Sequence, residues 1–206
     1  RIYDYVGGQE DLKNRVLDTV GDASARFQED ALRLFRACRF IGQLGMTPTE
    51  GLLAGIQPAL YRVTGLSIER VRSEIEKLLC TSHVAAGMDI LMQTGMGACH
   101  CRRKVAGVYE EVAILPELGH LLYTPQMAVH HKYNAWYHTL AVVQAVEPDL
   151  TLRYAALFHD IAKGTEGIRK IDGERITDHG HDIKGAHIAD SILSRWHVSP
   201  MMKKEV

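Results

Sequence analysis

The sequence lacks several features that would assign it directly to a class of protein. No apolar run approaches the roughly 20 residues that a membrane-spanning helix needs, so we expect no membrane as a partner. Cysteine is scarce, and the four cysteines show no small disulfide framework, which fits a reducing, cytoplasmic setting. Net charge is almost absent at −1, so an anionic partner must bind a local basic patch.

Strand signals are also sparse, and helical periodicity fills most of the chain. Apolar residues recur at spacings of three and four in residues 27–41 and again in 68–78. We predict a first helix capped by Ser24 and ended by Gly45, and another capped by Ser67. Further helices are predicted near residues 51–61, 84–94, 132–146, 150–163 and 182–196. Strands are predicted only in the first few residues and in a short Asp-Gly hairpin within IRKIDGERITDH.

The first predicted helix carries three arginines at three-residue steps within EDALRLFRACRF, residues 29–40. On one ideal helix, at about 100° per residue, the arginines turn across the face opposite the core, and Asp30 lies beside Arg33. One interpretation is a solvated face with an ordinary ion pair. The other is chemical, because a carboxylate and a guanidinium side by side could read the pairing edge of cytosine or adenine. Arg36 and Arg39 could then hold phosphates or orient that pair.

A family resemblance adds to this second interpretation. Residues 3–46 resemble the end of the catalytic head and the neck of class II CCA-adding tRNA nucleotidyltransferases and the related bacterial poly(A) polymerases. The matching pieces are GGQEDL, TVGD, RFQEDALR and LFRACRFIGQLG, and SIERVRSEIEKLL resembles the next neck helix. The resemblance implies that the EDxxR element selects incoming CTP or ATP, with tRNA as the partner and Mg²⁺ in the parent transferase. It assigns base recognition to Asp30 and Arg33, further nucleotide contacts to Arg36 and Arg39, and support of Arg33 or of the neck packing to Glu29.

The sequence departs from that family in two respects. Asp18 stands where the family usually has an arginine. The catalytic carboxylates of the family lie upstream, in a Gly-Gly and Asp-x-Asp head, and residues 1–206 supply no paired-carboxylate site for two-metal phosphoryl transfer. Because residue 1 is an arginine and MMKKEV ends without a helix-ending signal, we expect a fragment that lacks the polymerising site.

Histidine is unusually abundant, with eleven residues concentrated towards the end of the chain. His138, within HHKYNAWYHTL, and the adjacent His159 and Asp160, within YAALFHDIAKG, offer mixed nitrogen and oxygen ligands for a divalent metal. A core histidine with satisfied hydrogen bonds is the alternative for any one of them. The segment DHGHDIKGAH adds further candidates, His179, His181 and His187.

These segments resemble, in spacing and order, the HD superfamily of metal-dependent phosphohydrolases, which also occurs fused behind the neck and body of some bacterial CCA-adding enzymes. The resemblance implies a site for Ni²⁺, Mn²⁺ or Mg²⁺ whose ligands are His138, His159, Asp160 and His181, the last of which could instead contact a phosphate. His159, Asp160 and Lys163 are the implied catalytic residues, with Lys163 neutralising a phosphate oxygen while a metal-bound water attacks a phosphoester. A further Asp ligand, usual near the end of HD domains, would lie beyond residue 206.

The segment CHCRR, residues 99–103, has two interpretations. It could bind zinc through Cys99, His100 and Cys101, although no second pair stands at finger spacing, or it could be a plain helix junction. The basic run that follows could contact RNA phosphates or form a solvated turn; it comprises Arg102, Arg103 and Lys104. His130 and His131 are assigned to a domain entrance, without a ligand role.

The predicted fold class is mostly α, with a helical neck and body followed by an all-helical HD domain. The predicted segments are a head remnant and linker (1–22), a nucleotide-recognising and RNA-binding neck (23–82), body helices (83–128) and a C-terminally shortened HD domain (129–206). Pro116 and Pro125 bracket the predicted junction between helical units. The predicted function is a fragment of a nucleotidyltransferase that extends tRNA 3′ ends or polyadenylates, with an HD phosphohydrolase domain. A stand-alone HD phosphohydrolase and a non-catalytic helical RNA-binding module are the alternatives, and the oligomeric state stays open.

Overall fold

The computed structural model describes residues 2–126, 134–173 and 175–206. The chain is mostly helical, which confirms the predicted fold class. It divides into two compact units, a first unit of Arg1–Ile114 and a second unit of Leu115–Val206. The boundary lies beside Pro116, the first proline of the predicted junction, while the four predicted segments stay predictions.

The first unit is built from short helices and two small pairs of strands. Its α-helices are α1 (Gly8–Asn14), α2 (Ala23–Glu29), α3 (Leu32–Leu44), α4 (Glu50–Ala54), α5 (Ile68–Leu79) and α6 (Val84–Gln93), with 3₁₀ helices at Gln57–Gly65 and Met96–Ala98. Strand β1 (Val16–Leu17) is parallel to β2 (Thr47–Pro48), and β3 (His100–Val105) is antiparallel to β4 (Val108–Ala113).

Residues 23–44 form two helices where the periodicity predicts one. The predicted apolar stripe is buried in full; it comprises Phe27, Ala31, Leu34, Cys38 and Ile41. The chain nevertheless leaves the helix at Asp30, which has φ −144° and ψ 99°. The N-cap of α2 is Asp22, whose carboxylate accepts a hydrogen bond from the Ala25 N–H at 2.7 Å, so the predicted Ser24 cap is wrong. Gly45 ends α3 at φ 62°, as predicted.

Glycines let α3 approach α5 and α6 closely. A Cβ at Gly42 would lie 2.5 Å from the Leu78 Cδ1 atom and 2.6 Å from the Thr81 Oγ1 atom. A Cβ at Gly87 would overlap the carbonyl oxygen of Cys38. These contacts hold α3, which carries the arginines, firmly against α5 and α6.

The hairpin of β3 and β4 is absent from the sequence predictions. Its register places Cys101 opposite Val112, and both are buried. Ala106 and Gly107 turn the chain with φ 48° and 90°, the positive values that a two-residue hairpin turn requires. The predicted helix junction at residues 99–103 is therefore wrong. Four of the six residues of β3 are charged or polar, and its apolar residues, Cys101 and Val105, are four apart, so no apolar alternation marks the strand.

The first few residues are not a strand, contrary to prediction. The Asp4 carboxylate accepts hydrogen bonds from the backbone N–H groups of residues 6–9 at 2.7–3.1 Å. An aspartate that gathers four successive N–H groups folds the segment into a turn that leads into α1. The helix predicted near 51–61 is also replaced, by α4 and a 3₁₀ helix.

The second unit contains α7 (Ala135–Ala145), α8 (Leu150–Phe158), α9 (His181–Arg195) and α10 (Pro200–Glu205), with a 3₁₀ helix at Pro116–Tyr123. The antiparallel strands β5 (Lys170–Asp172) and β6 (Arg175–Thr177) confirm the predicted Asp-Gly hairpin, so the unit is not entirely helical. The predicted start of the HD domain, His130 and His131 lie outside the described residues.

The core of the second unit is aromatic. Trp136, Tyr154 and Trp196 are at most 1% exposed, and the Tyr154 and Trp196 rings meet edge to face at 6.4 Å. The helix predicted over 150–163 ends at Phe158, so His159 and Asp160 lie in the turn after α8. Within the described ranges, no helix combines the length and apolarity that crossing a bilayer demands.

Candidate functional site

The turn at Asp30 gives different partners to two side chains that the sequence placed side by side. Asp30 Oδ1 accepts a hydrogen bond from the Leu32 N–H at 3.1 Å, which begins α3, and Asp30 Oδ2 lies 4.0 Å from Arg36 Nη1. Arg33 Nη1 instead lies 2.9 Å from Glu29 Oε2 and donates to the Arg26 carbonyl at 3.0 Å. The Arg33 N–H donates to the Asp30 carbonyl at 3.0 Å, but the two side chains have different partners, because the chain leaves the helix at Asp30 where one unbroken helix was predicted. Glu29 supports Arg33, as predicted.

Arg36 and Arg39 point towards a buried glutamate that the sequence analysis missed. Glu74, on α5, is 6% exposed. Its Oε2 accepts from Arg39 Nε at 2.7 Å, and its Oε1 lies 3.9 Å from Arg36 Nε. Arg39 Nη1 also donates to Gln43 Oε1 at 2.7 Å, and its guanidinium lies 4.3 Å from the Phe40 ring centroid. Arg39 is therefore held firmly, whereas the contacts of Arg36 with two carboxylates are long.

The three arginines line one cavity of about 510 Å³, together with Glu74 and residues 17–19. Asp30 lines a different cavity of about 410 Å³. Asp18, the residue that departs from the family pattern, belongs to the wall of the arginine cavity. The site thus combines three guanidiniums with a buried carboxylate that orients two of them, an arrangement suited to binding an anion.

The second unit brings together all the residues predicted for its site. Asp160, 2% exposed, is the centre of the cluster. Its Oδ2 lies 2.8 Å from Lys163 Nζ, 3.2 Å from His159 Nε2 and 3.6 Å from His138 Nε2, and its Oδ1 lies 3.5 Å from His181 Nε2. Ligand atoms of His138, His159 and Asp160 all lie within 4.8 Å of one another, a spacing that could hold a metal ion.

Hydrogen bonds fix which ring nitrogens face this centre. His159 Nδ1 lies 2.7 Å from the Ala156 carbonyl oxygen, and His181 Nδ1 lies 2.7 Å from the Asp178 carbonyl oxygen. A carbonyl only accepts, so Nδ1 donates and a neutral ring turns the lone pair of Nε2 towards Asp160. In each case the Nε2 atom and the Asp160 carboxylate oxygen are both acceptors that face each other. Either a proton on the ring or a cation between the two atoms satisfies the contact. Because the Nε2 atom of His159 is buried without a well-formed hydrogen bond, the donor set fits a divalent metal.

The pKa of Asp160 is lowered and that of His159 is raised. Burial alone would raise the pKa of Asp160, but short polar contacts from His159 and Lys163 outweigh burial and hold that pKa well below its ordinary range. Burial would likewise lower the pKa of His159, yet its contacts with Asp160 and with the Ala156 carbonyl raise it. Asp160 is consequently an anion in the folded protein, the form in which a carboxylate binds a metal.

A cavity of about 530 Å³ adjoins this cluster, and Lys163, Arg169 and His181 contribute to its lining. Arg169 forms a two-pronged pair with Asp178, at 3.0 Å from Nε and 2.8 Å from Nη2. Asp178 also accepts from the Gly164 N–H at 2.9 Å. Burial would raise the pKa of Asp178, but these donors outweigh it and lower the pKa. The sequence analysis missed both members of this pair, which fixes the loops around the cavity.

The alternative zinc site at residues 99–101 gains no support. Cys101 is 1% exposed, and burial raises the pKa of its thiol to about 12, so it packs as a protonated core residue. Among the described residues, the metal-ligating group includes neither Cys99 nor His100. His179 lines the cavity of the second unit, and His187 lies on α9 outside the cluster around Asp160.

The sequence and the fold of this chain are similar to those of known proteins. Residues 45–98 match a family described as "Probable RNA and SrmB- binding site of polymerase A". The A-adding tRNA nucleotidyltransferase of Deinococcus radiodurans is 33% identical over 205 residues, which cover 95% of this chain and 43% of that protein. The similarity is to tRNA nucleotidyltransferases.

Two further relatives extend the comparison. The CCA-adding enzyme of Geobacillus sp. (strain WCH70) is 42% identical over 96 residues, covering 47% of this chain and 24% of that enzyme. The solved structure of a tRNA-processing enzyme with CTP matches 98% of this chain and 45% of that one with a TM-score of 0.53, and at 17% identity it supports the fold. The chain spans less than half the length of these curated relatives.

Proposed function

We propose that this chain is the nucleotide-selecting and RNA-contacting part of an enzyme that adds nucleotides to tRNA 3′ ends, with CTP and ATP as substrates and Mg²⁺ in the parent transferase. The observation that carries the proposal is the cavity of about 510 Å³ into which α3 directs Arg33, Arg36 and Arg39. The similarity to CCA-adding and A-adding enzymes supports it independently.

The three arginines differ in how readily they could take a phosphate. Arg33 and Arg39 already have carboxylate contacts at 2.9 and 2.7 Å. Arg36 is 43% exposed along its side chain and lies 3.9–4.0 Å from its two carboxylates. A triphosphate can therefore replace those long contacts at little cost, which makes Arg36 the first phosphate ligand. Arg33 and Arg39 then supply oriented positive charge on either side.

Base selection is assigned to the Asp30 carboxylate. Its Oδ1 is occupied by the Leu32 N–H, so Oδ2 is the atom offered to an exocyclic amino group. Cytosine and adenine carry that amino group, whereas uracil and guanine would oppose a carbonyl to the carboxylate. Arg36 is the arginine whose guanidinium lies within 4.0 Å of Asp30. Arg33, which lines the arginine cavity, stays a proposed contact of the base.

Titration of the chain with CTP, ATP, UTP and GTP tests this proposal. We expect CTP and ATP to bind about tenfold more tightly than UTP and GTP, since a good base-edge contact discriminates by about 1–3 kcal/mol. Asp30→Ala should remove the preference, Arg36→Ala should weaken all four nucleotides, and the exposed Arg175→Ala should change nothing. Equal binding of all four nucleotides, unaltered by Asp30→Ala, would contradict the base-selecting role.

We propose a second activity, metal-dependent phosphoester hydrolysis by an HD-type site in the second unit. The grouping of His138, His159 and Asp160 beside a cavity that contains Lys163 favours it. Imidazole and carboxylate donors suit Ni²⁺ or Mn²⁺ as well as Mg²⁺. A bound metal would supply an activated water. In this chain, backbone carbonyls aim the Nε2 atoms, His181 completes the cluster, and Lys163 and Arg169 place positive charge where a phosphate would lie.

Metal binding can be measured separately from activity. Calorimetric titration with Ni²⁺ should give one site, and Asp160→Asn should abolish it, because the amide cannot replace the central anion. Asp172→Asn, an exposed carboxylate on β5, is the matched control and should bind normally. Lys163→Ala should keep Ni²⁺ binding but lose hydrolysis of bis-p-nitrophenyl phosphate. A chain that binds no Ni²⁺, Mn²⁺ or Mg²⁺ would refute the second activity.

A further inference from the structure

The β3–β4 hairpin presents a charged and aromatic face that the nucleotide and metal sites do not use. Cys101 and Val112 anchor its base in the core of the first unit. In the antiparallel register Lys104 stands opposite Tyr109, and Arg102 stands opposite Glu111. Directly opposed residues share one face of a sheet, so these side chains emerge together on the side that carries Arg102, Lys104, Tyr109 and one carboxylate, Glu111.

An exposed aromatic ring lies close to the two cations of this face. Tyr109 is 56% exposed. The guanidinium carbon of Arg102 lies 4.4 Å from the centroid of its ring, and Lys104 Nζ lies 5.8 Å from it. The ring stays more than half exposed beside these cations, so a planar group can stack on the exposed part of Tyr109 or on the Arg102 guanidinium.

Arg102 also connects the hairpin to the cavity of about 410 Å³ beside Asp30. Its backbone N–H donates to the Leu66 carbonyl at 2.9 Å, which fixes the strand against the end of the Gln57–Gly65 helix. Tyr61 and Arg62 line the same cavity, and Tyr61 is 64% exposed. Arg62 Nε donates to the Gln28 carbonyl at 3.2 Å, so its position is set.

The acidic groups at this cavity already have cationic partners. Glu29 lies 3.0 Å from Arg26 and 2.9 Å from Arg33, and Asp30 faces Arg36. Their charge is offset from the side of α2 and α3. The remaining wall of the cavity is positive through Arg62 and Arg102, which favours an anionic partner.

We propose that these side chains form an aromatic–basic track, made of Tyr61, Arg62, Arg102, Tyr109 and Lys104, which binds a single-stranded RNA segment and leads it to the Asp30 turn. Alternating aromatic rings and cations is the pattern by which proteins hold unpaired nucleotides, with bases stacked and phosphates neutralised. An acidic peptide would use the cations but would leave both exposed tyrosines without a role. Tyr61 and Arg62 lie within the matched family segment of residues 45–98, whereas the hairpin residues lie beyond it. The inference rests on the proposal that RNA is a partner.

Fluorescence anisotropy with a labelled 12-nucleotide single-stranded RNA tests the track on the whole chain. Loss of one stacking contact weakens binding about tenfold, so Tyr109→Ala and Tyr61→Ala should each have that effect, whereas Tyr109→Phe should bind as tightly as the parent. Lys104→Ala should reduce the slope of log K against log salt by about 0.7, the value for one phosphate contact on a single strand. Tyr123→Ala, with a tyrosine 84% exposed in the second unit, and Lys13→Ala are the controls.

The outcomes separate the track from the function on which it rests. RNA binding that is unaltered in Tyr109→Ala and Tyr61→Ala would overturn the track and leave RNA binding in place. A chain that binds CTP but no RNA would overturn both. Equal loss in Tyr109→Phe and Tyr109→Ala would show that stacking is not the interaction, and displacement of the RNA by polyglutamate at equal charge would show a general anion surface. Circular dichroism of each variant checks that the chain still folds.

Discussion

Glu74→Ala removes the carboxylate that orients the arginine cavity. The side chain is almost buried and lies 2.7 Å from Arg39 Nε, 3.9 Å from Arg36 Nε and 3.7 Å from Lys77 Nζ. After its loss, the Arg39 guanidinium keeps its hydrogen bond to Gln43 and its place over the ring of Phe40. The substitution therefore leaves the Arg39 guanidinium largely buried, with its contacts to Gln43 and Phe40 but without its carboxylate partner.

The expected loss in the free energy of unfolding follows from the contacts that Arg39 keeps. Breaking a fully buried ion pair from one side costs about 3–5 kcal/mol. Arg39 is 18% exposed along its side chain and retains two other contacts, so the lower cost of a hydrogen bond between charged groups applies, about 2 kcal/mol. Glu69→Ala, in the exposed first turn of the same helix, is the matched control and should cost about 0.5 kcal/mol through the helix dipole.

Urea unfolding followed by far-ultraviolet circular dichroism measures this difference. Both tryptophans, Trp136 and Trp196, belong to the second unit, so their fluorescence reports that unit and gives an internal reference. A double-mutant cycle of Glu74→Ala with Arg39→Ala should show a coupling of about 1 kcal/mol or more. Equal costs for Glu74→Ala and Glu69→Ala, or strict additivity in the cycle, would refute the orienting role of Glu74.

Three further predictions test the packing and the loops by the same unfolding measurement. Gly87→Ala should destabilise by about 1–3 kcal/mol, because its methyl group would overlap a backbone carbonyl of α3, while Gly51→Ala in α4, whose added Cβ would meet nothing closer than 3.9 Å, should be neutral or slightly stabilising. Arg169→Ala should destabilise by about 1.5–3 kcal/mol, since it leaves its carboxylate partner unpaired; a cost below 0.5 kcal/mol, roughly that of an exposed pair, would contradict this. Asp22→Ala should cost about 1 kcal/mol as the loss of the α2 cap, and Ser24→Ala should cost less; the reverse order would restore the predicted cap.

The cluster in the second unit could be predicted because its members belong to short, recognisable segments. His159, Asp160 and Lys163 lie within five residues of the chain, so one turn carries three of the groups whatever the surrounding packing. His138 and His181 begin or occupy helices that were placed within a few residues from periodicity alone. The sequence could not predict Arg169 and Asp178, because a pair that joins a loop to a hairpin has no periodic signature.

The break at Asp30 was hidden by the same periodicity that identified the helices. The apolar stripe of residues 27–41 is satisfied by two helices as well as by one, because Ala31 is buried in either case. Asp30 breaks the helix, because its carboxylate accepts a hydrogen bond from the Leu32 N–H and so starts a new helix. A signal for Glu74 did exist: at about 100° per residue it lies about 40° from Leu78, at the border of the buried face of α5. A carboxylate in that position requires a cationic partner.

Because the helix breaks at Asp30, this residue lies beside two cavities of the first unit, one lined by its neighbour Arg36 and the other by Asp30 itself. Its Oδ2 faces Arg36, which lines the arginine cavity, while the residue itself lines the cavity of the aromatic–basic track. If an incoming nucleotide occupies the first cavity and an RNA end occupies the second, Asp30 contacts both. Asp30→Ala should then weaken CTP binding and the binding of the 12-nucleotide RNA, whereas Arg36→Ala should weaken CTP alone. An Asp30→Ala chain that loses CTP preference but binds the RNA normally would assign the turn to the nucleotide only and would leave the track without its end point.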